Sequence, residues 1–302
     1  MTTSIDPSIS VCGLTKFYGD KRGVEEVSFD VLPGEIVGFL GPNGSGKTTV
    51  MRMLMGLIYP TSGTIQILNN VVSRRNWQIR SQMGYLPGIL SLYKDMTVRD
   101  YLIFIASVRN VECSRRMNEL MERFSLSPTA EISGLSKGTK QKVGVVQALM
   151  HSPRILILDE PTSGLDPIVQ NEFEAVIREQ REKGISVLLS SHVMHEVDEL
   201  ADRVIILFQG RVIVVDSIDA LKSRTARILR LEFPTQQEPT IFMGVPGVEE
   251  VLTEGRFVEC TILGSENALL KEAAAQGVIG VISEEPSLED IFLVQTGMTN
   301  AH

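Results

Sequence analysis

Cysteine is scarce. The chain of 302 residues has three, Cys12, Cys113 and Cys260. They lie far apart, no pair has metal-ligand spacing, and the odd count argues against a disulfide framework. Ordinary thiols in a reducing compartment are the expectation. Basic residues are outnumbered, 29 Lys and Arg against 37 Asp and Glu, for a net charge of −8. The chain thus lacks the electrostatic footprint of a general nucleic-acid binder, although a local basic groove stays compatible with it. No apolar run approaches the ~20 residues needed to span a bilayer. The opening MTTSIDPSIS is polar and lacks the basic-then-apolar pattern of a signal segment. The protein is expected to be cytosolic, or held at a membrane by something else. No tandem repeat or low-complexity tract is present.

Hydrophobic residues make up 43% and charged residues 22%, as in a globular protein with a substantial core. The length allows one large domain and a small one. Ser10 to Tyr18 and Val24 to Val31 read as strands, followed by a short apolar run, Ile36 to Leu40, and a helical stretch from Lys47. From about residue 75 to 150 apolar residues recur at helical spacing, and a helical subdomain is expected over about 84–152. Ile155 to Leu158, Val187 to Leu189 and Val204 to Leu207 suit strands buried on both faces of a parallel sheet. Alternation of these strands with helices implies an α/β core. The pattern weakens after Arg224, and 226–302 is expected to form a small α+β domain beside a main domain over 1–225.

The chemistry concentrates at three places. Gly41, Pro42, Asn43, Gly44, Ser45, Gly46, Lys47 and Thr48 fit G-x-x-x-x-G-K-[ST], with Thr49 next. Glycines leave backbone N–H groups uncovered, so that they converge on phosphate oxygens. The following helix aims its positive end at the same anion. Lys47 reaches the β- and γ-phosphates, and the Thr48 hydroxyl suits a hard cation, Mg²⁺. Asp159 and Glu160 end the Ile155 strand, where ligands sit in parallel sheets. Asp159 is placed to hold Mg²⁺, and Glu160 to orient and deprotonate a water. His192 ends the next strand and can donate to a γ-phosphate. His151 and His195 receive no role.

Further along, Leu135-Ser136-Lys137-Gly138-Thr139 opens a helix, and Ser163-Gly164-Leu165-Asp166 follows Pro161-Thr162. The first resembles the signature of ABC ATPases, commonly LSGGQ, and the second their D-loop. Tyr18 before Gly19 is similar to the aromatic A-loop that stacks on adenine. Over residues 8–217 the order of motifs resembles that of the family. The resemblance implies a P-loop NTPase cassette: a RecA-like core with an antiparallel β subdomain and a helical subdomain. It implies ATP and Mg²⁺ as ligands, and two cassettes closing head to tail. Ser136 and Gly138 of one copy, with Asp166, would then meet the nucleotide held by Lys47 of the other. It also implies permease subunits as partners, at the cytoplasmic face of the membrane, and no nucleic acid. The stretch Ser287 to Leu293 resembles the end of ABC-2-type export ATPases. A soluble ABC ATPase acting on ribosomes or DNA is the alternative. The single P-loop and the 87-residue gap from Thr48 to Leu135, without sustained heptads, favour transport.

Two departures stand out. Met83-Gly84-Tyr85-Leu86-Pro87 is followed by Gly88 where the family usually has a glutamine, the Q-loop residue, and Gln82 lies on the wrong side of the strand. Lys137 and Thr139 replace the usual Gly and Gln, and Lys137 would add positive charge near a partner's phosphates if turned that way.

Overall fold

The computed structural model describes residues 6–296, which divide after Val215 into two compact units. In the first, β1 (Ile9–Tyr18) and β2 (Lys21–Val31) pair antiparallel, with Ile9 opposite Val31. Alternation along both strands turns Ile9, Val11, Val27, Phe29 and Val31 inward. β3 (Ile36–Leu40) is buried at every position and leads through a loop into α1 (Lys47–Leu54). β4 (Ser62–Ile67) pairs with the free edge of β1, and β5 (Asn70–Val71) completes an antiparallel sheet in the order β2-β1-β4-β5.

A short 3₁₀ turn precedes β6 (Met83–Leu86), and α2 (Val98–Arg109), α3 (Ser114–Arg123) and α4 (Lys137–Leu149) follow. The helical stretch therefore starts later than the expected residue 84, because Gly84 to Leu86 pair with the next strand in the main sheet. α4 opens where the Leu135 to Thr139 stretch is expected to open a helix: Ser136 caps it and accepts a bond from the Thr139 N–H at 3.1 Å.

The chain then alternates: β7 (Ile155–Asp159), α5 (Pro167–Glu182), β8 (Ser186–Ser191), α6 (Met194–Leu200), β9 (Arg203–Phe208) and β10 (Arg211–Ser217). The sheet order is β10-β9-β3-β8-β7-β6, and the five strands from β9 to β6 are parallel. Leu40 lies opposite Ser191, and Asp159 opposite Ser190. The carboxyl ends of β3, β7 and β8 thus line up at one edge, where ligands of open parallel sheets bind. One core cluster joins Leu14, Val27 and Phe29 of the antiparallel sheet to Phe39, Met51, Ile157 and Leu188. It fixes the loop after β3 between two sheets.

The second unit contains α7 (Ile218–Arg224), β11 (Arg227–Glu232), α8 (Thr240–Met243), β12 (Val248–Glu254), β13 (Phe257–Ile262), α9 (Asn267–Ala275), β14 (Gly280–Glu284) and α10 (Leu288–Thr296). Its sheet is antiparallel, in the order β12-β13-β11-β14. Leu229, Leu231, Phe233, Phe242, Cys260 and Leu269 form its core. The division falls at 215/216 rather than 225/226, because α7 packs on α10. β12 and β14 escape sequence reading because they bury little: only Val251 in β12 and no residue of β14 is buried. All three cysteines are free. Among the described residues no helix is long and apolar enough to cross a membrane.

Candidate functional site: a phosphate-binding cradle

The loop after β3 turns through glycine conformations that no side chain could share. Gly41 has φ 148°, and a Cβ there would meet the Leu207 carbonyl oxygen at 2.2 Å. Gly46, the cap of α1, has φ 112°, and a Cβ would meet Val24 Cγ1 at 2.3 Å. No side chain caps α1, so its first N–H groups remain available to an anion. Ser45 Oγ is buried and has no hydrogen-bond partner among the described residues. Lys47, 6% exposed, donates from Nζ to the Gly41 carbonyl at 2.5 Å. Burial lowers its pKa, and the carboxylates of Glu160 and Asp159 oppose that shift. A cavity of about 480 Å³ opens over the loop, lined by Tyr18, Pro42, Asn43, Lys47, Thr48 and Thr49 among others, and by Glu160. Tyr18 is half exposed, at the rim.

Asp159 and Glu160 sit at the end of β7 and have unlike surroundings. Asp159 is 1% exposed. Its Oδ2 accepts from Thr48 Oγ1 at 2.8 Å and its Oδ1 from Ser190 Oγ at 2.7 Å. Thr48 and Asp159 together offer the hard oxygens that a magnesium site draws from protein, the rest of its shell coming from phosphate and water. Glu160 has a left-handed backbone, φ 54°, and its N–H donates to both Ser190 Oγ and the Ser190 carbonyl, at 3.0 and 3.2 Å. The carboxylate therefore leaves the strand and reaches the cavity, with Oε1 3.9 Å from Lys47 Nζ and Oε2 2.5 Å from His192 Nδ1. His192 faces Glu160 and is half exposed. A buried lysine, a hydroxyl–carboxylate pair and a reachable carboxylate around one anion cradle can bind a nucleoside triphosphate and activate water beside it.

Ser136, Gly138 and Asp166 do not line this cavity. Ser136 lies exposed at the start of α4, while Asp166 caps α5 by accepting from the Val169 N–H at 3.0 Å. Gly138 is required by packing: a Cβ there would meet the Gly164 carbonyl oxygen at 2.4 Å. Lys137 Nζ donates to Ser163 Oγ at 3.1 Å, so its charge is turned to its own chain's loop.

A family model described as ABC transporter matches residues 24–163. The bacitracin transport ATP-binding protein BcrA of Bacillus licheniformis is 34% identical over 96% of this chain and 97% of its own length. The Nod factor export ATP-binding protein I of Rhizobium sp. (strain N33) is 31% identical, with coverage of 96% and 97%. The chain belongs to the ATP-binding subunits of ABC transporters. A solved structure described as the ATP binding subunit of an ABC transporter superposes with a TM-score of 0.68 at 32% identity, over 71% of this chain and 91% of that one. The reading as a soluble ATPase of ribosomes or DNA finds no counterpart among these relatives.

In this ABC subunit two site residues are invisible to motif reading. Ser190 bridges the acidic pair: its hydroxyl donates to Asp159 and accepts from the Glu160 N–H, at full burial. Gln141, on the signature helix α4, donates from Nε2 to the carbonyls of Glu160 and Pro161, both at 3.0 Å. The sequence signal for Ser190 is a polar residue closing an apolar buried run; Gln141, flanked by Lys140 and Lys142, gives none. The missing glutamine leaves Gly88 directly against the Asp159 carboxylate, since a Cβ there would stand 3.1 Å from Asp159 Oδ2. Gln82 does not replace it; its Oε1 accepts from Arg154 before the opposite end of β6. Burial, reinforced by the Asp159 charge, raises the pKa of the Tyr85 phenol.

Proposed function

We propose that the chain hydrolyses MgATP between two cassettes and passes the resulting motion to separate membrane subunits that export a substrate. Triphosphate sits in the 41–49 loop with Tyr18 stacked on the base, and Ser45 Oγ, orphaned and buried, gains an acceptor in a phosphate oxygen. Thr48 and Asp159, whose side chains already share a hydrogen bond, would hold a magnesium ion. Such an ion, when bound, would supply charge neutralisation at the phosphate oxygens. Glu160, oriented by His192, takes a proton from water as that oxygen attacks the γ-phosphorus and the bond to ADP breaks. Lys47 stabilises the charge that develops.

Ser136, Gly138 and Asp166 act on the nucleotide of the partner cassette. Their separation from the chain's own cavity supports this, because an exposed, side-chain-capped helix start is free to meet a second copy. Trans-acting groups of this kind supply ~10³ or more in rate, about 4 kcal/mol. Permease subunits would hold the chain at the cytoplasmic face of the membrane. Export is the direction named for the Rhizobium relative, and the match covers 96% of this chain.

The observation that carries this reading is the convergence of Lys47, Thr48, Asp159, Glu160 and His192 around one cradle. Steady-state ATPase assays of wild type and Glu160→Gln test it. A loss of about 10²–10⁴ in kcat with nucleotide binding retained is expected for removal of a general base. Equal rates would rule the assignment out.

A further inference from the structure

The net negative charge of the chain comes entirely from its second unit. Residues 216–302 carry 14 acidic and 6 basic side chains, whereas residues 1–215 carry 23 of each. Most of the unit's arginines are engaged: Arg224 with Asp216 at 2.8 Å, Arg227 with Glu266 at 3.7 Å and Arg256 with Glu232 at 2.9 Å. Glu249, Glu284 and Glu285 differ. All three are exposed, and none makes an ion pair or side-chain hydrogen bond with another described residue.

These three carboxylates rim a groove of about 630 Å³ between the α7–α10 pair and the outer face of the sheet. Leu229 and Leu231 point into the core, so alternation turns Ile228 the other way. Ile228 is 37% exposed and Leu263 44%, and Leu221 and Ile291 extend the same apolar floor. An apolar floor beneath unpaired carboxylates complements a helix with one apolar face and lysine or arginine on its flanks.

We propose that this groove docks a basic amphipathic segment from the cytoplasmic part of the membrane subunit. The proposal rests on the reading that the chain drives such a subunit. Charge decides between occupants. A second copy would bring the same acidic unit, and the cytoplasmic leaflet of a membrane is itself anionic; both are repelled. Cytoplasmic segments of membrane proteins carry an excess of lysine and arginine and are attracted.

The test uses the full chain and a labelled Leu/Lys amphipathic peptide of about 14 residues, roughly four helical turns, with a Leu/Glu peptide of the same pattern as control. Fluorescence anisotropy is expected to show saturable binding of the lysine peptide, weakened by salt, and none of the glutamate peptide. The triple variant Glu249→Lys, Glu284→Lys, Glu285→Lys is expected to bind about tenfold more weakly or worse. Ile228→Asp is expected to weaken binding with the rim intact, and circular dichroism monitors the fold of both. Equal binding by wild type and the charge-reversed variant would overturn the proposal, as would equal binding of the two peptides. Self-association lost on charge reversal, with peptide binding unchanged, would assign the groove to a second copy and overturn it too. Failure of the functional reading is separate: a chain that hydrolyses no ATP and co-purifies with no membrane subunit, whatever the peptide does.

Discussion

Gln141→Ala isolates the contact between the signature helix and the backbone of Glu160, the proposed general base. Gln141 is 6% exposed, and its amide donates to two carbonyls, of Glu160 and Pro161, at 3.0 Å each. Removing the donor leaves the buried Pro161 carbonyl unsatisfied, at a cost of about 1–3 kcal/mol, while the Glu160 carbonyl keeps only the Ser163 N–H at 3.2 Å. Glu160 already holds a left-handed backbone, φ 54°, so the turn has an ordinary conformation into which it can relax. If about 1.4–2.7 kcal/mol of that loss falls on the transition state, kcat drops about 10- to 100-fold. Gln141 does not line the nucleotide cavity, so KM for ATP is expected to stay within about twofold. Gln141→Glu keeps the shape but sets a carboxylate against two carbonyl oxygens, and is expected to lose more than the alanine. Steady-state ATPase kinetics with parallel nucleotide-binding titrations read both constants. A Gln141→Ala kcat within twofold of wild type, or a loss confined to KM, would refute the reasoning.

Two further predictions follow from single side chains. Gly88→Ala puts a methyl 3.1 Å from Asp159 Oδ2, tighter than ordinary contact; the Mg²⁺ concentration for half-maximal ATPase is expected to rise, and an unchanged midpoint would separate Gly88 from the metal site. Burial, with the Arg109 guanidinium adding to it, pushes His151 down to about 4 from 6.5. The folded protein holds it neutral while the unfolded chain takes a proton near 6.5, so stability is fully present above that pH and falls as pH drops from 6.5 toward 4. The contribution lost at pH 5 is about 2 kcal/mol. Urea unfolding should therefore show wild type losing about that much more than His151→Asn between pH 7 and pH 5, and parallel losses would contradict the assignment.

The parts of the site legible in the sequence are those whose chemistry is contiguous. The 41–48 loop announces itself because phosphate binding needs glycine, lysine and threonine within one turn, between a strand and a helix. Asp159 and Glu160 are legible because an apolar run ends on them. Gln141 and Ser190 are not, because each acts across a contact made only on folding: α4 against the Glu160 turn, β8 against β7. The orientation of Lys137 toward Ser163 is likewise a product of packing. In the second unit the weak alternation of β12 and β14 hides two strands, and the exposure that weakens it also leaves Ile282 58% exposed on an edge strand. The sequence does not mark α7 as the start of that unit, because the boundary depends on contact with α10.

Hydrolysis between the Lys47 cradle of one copy and the Ser136 helix of another would make every site depend on two chains. Mixing two inactive variants tests it most directly, one Lys47→Ala and the other Ser136→Arg. Across a mixed pair, the intact lysine of the second variant faces the intact serine of the first. Each variant alone is expected to be inactive, and mixing is expected to restore ATPase activity. A mixture no more active than its separate components, with mixed pairs demonstrated, would contradict it.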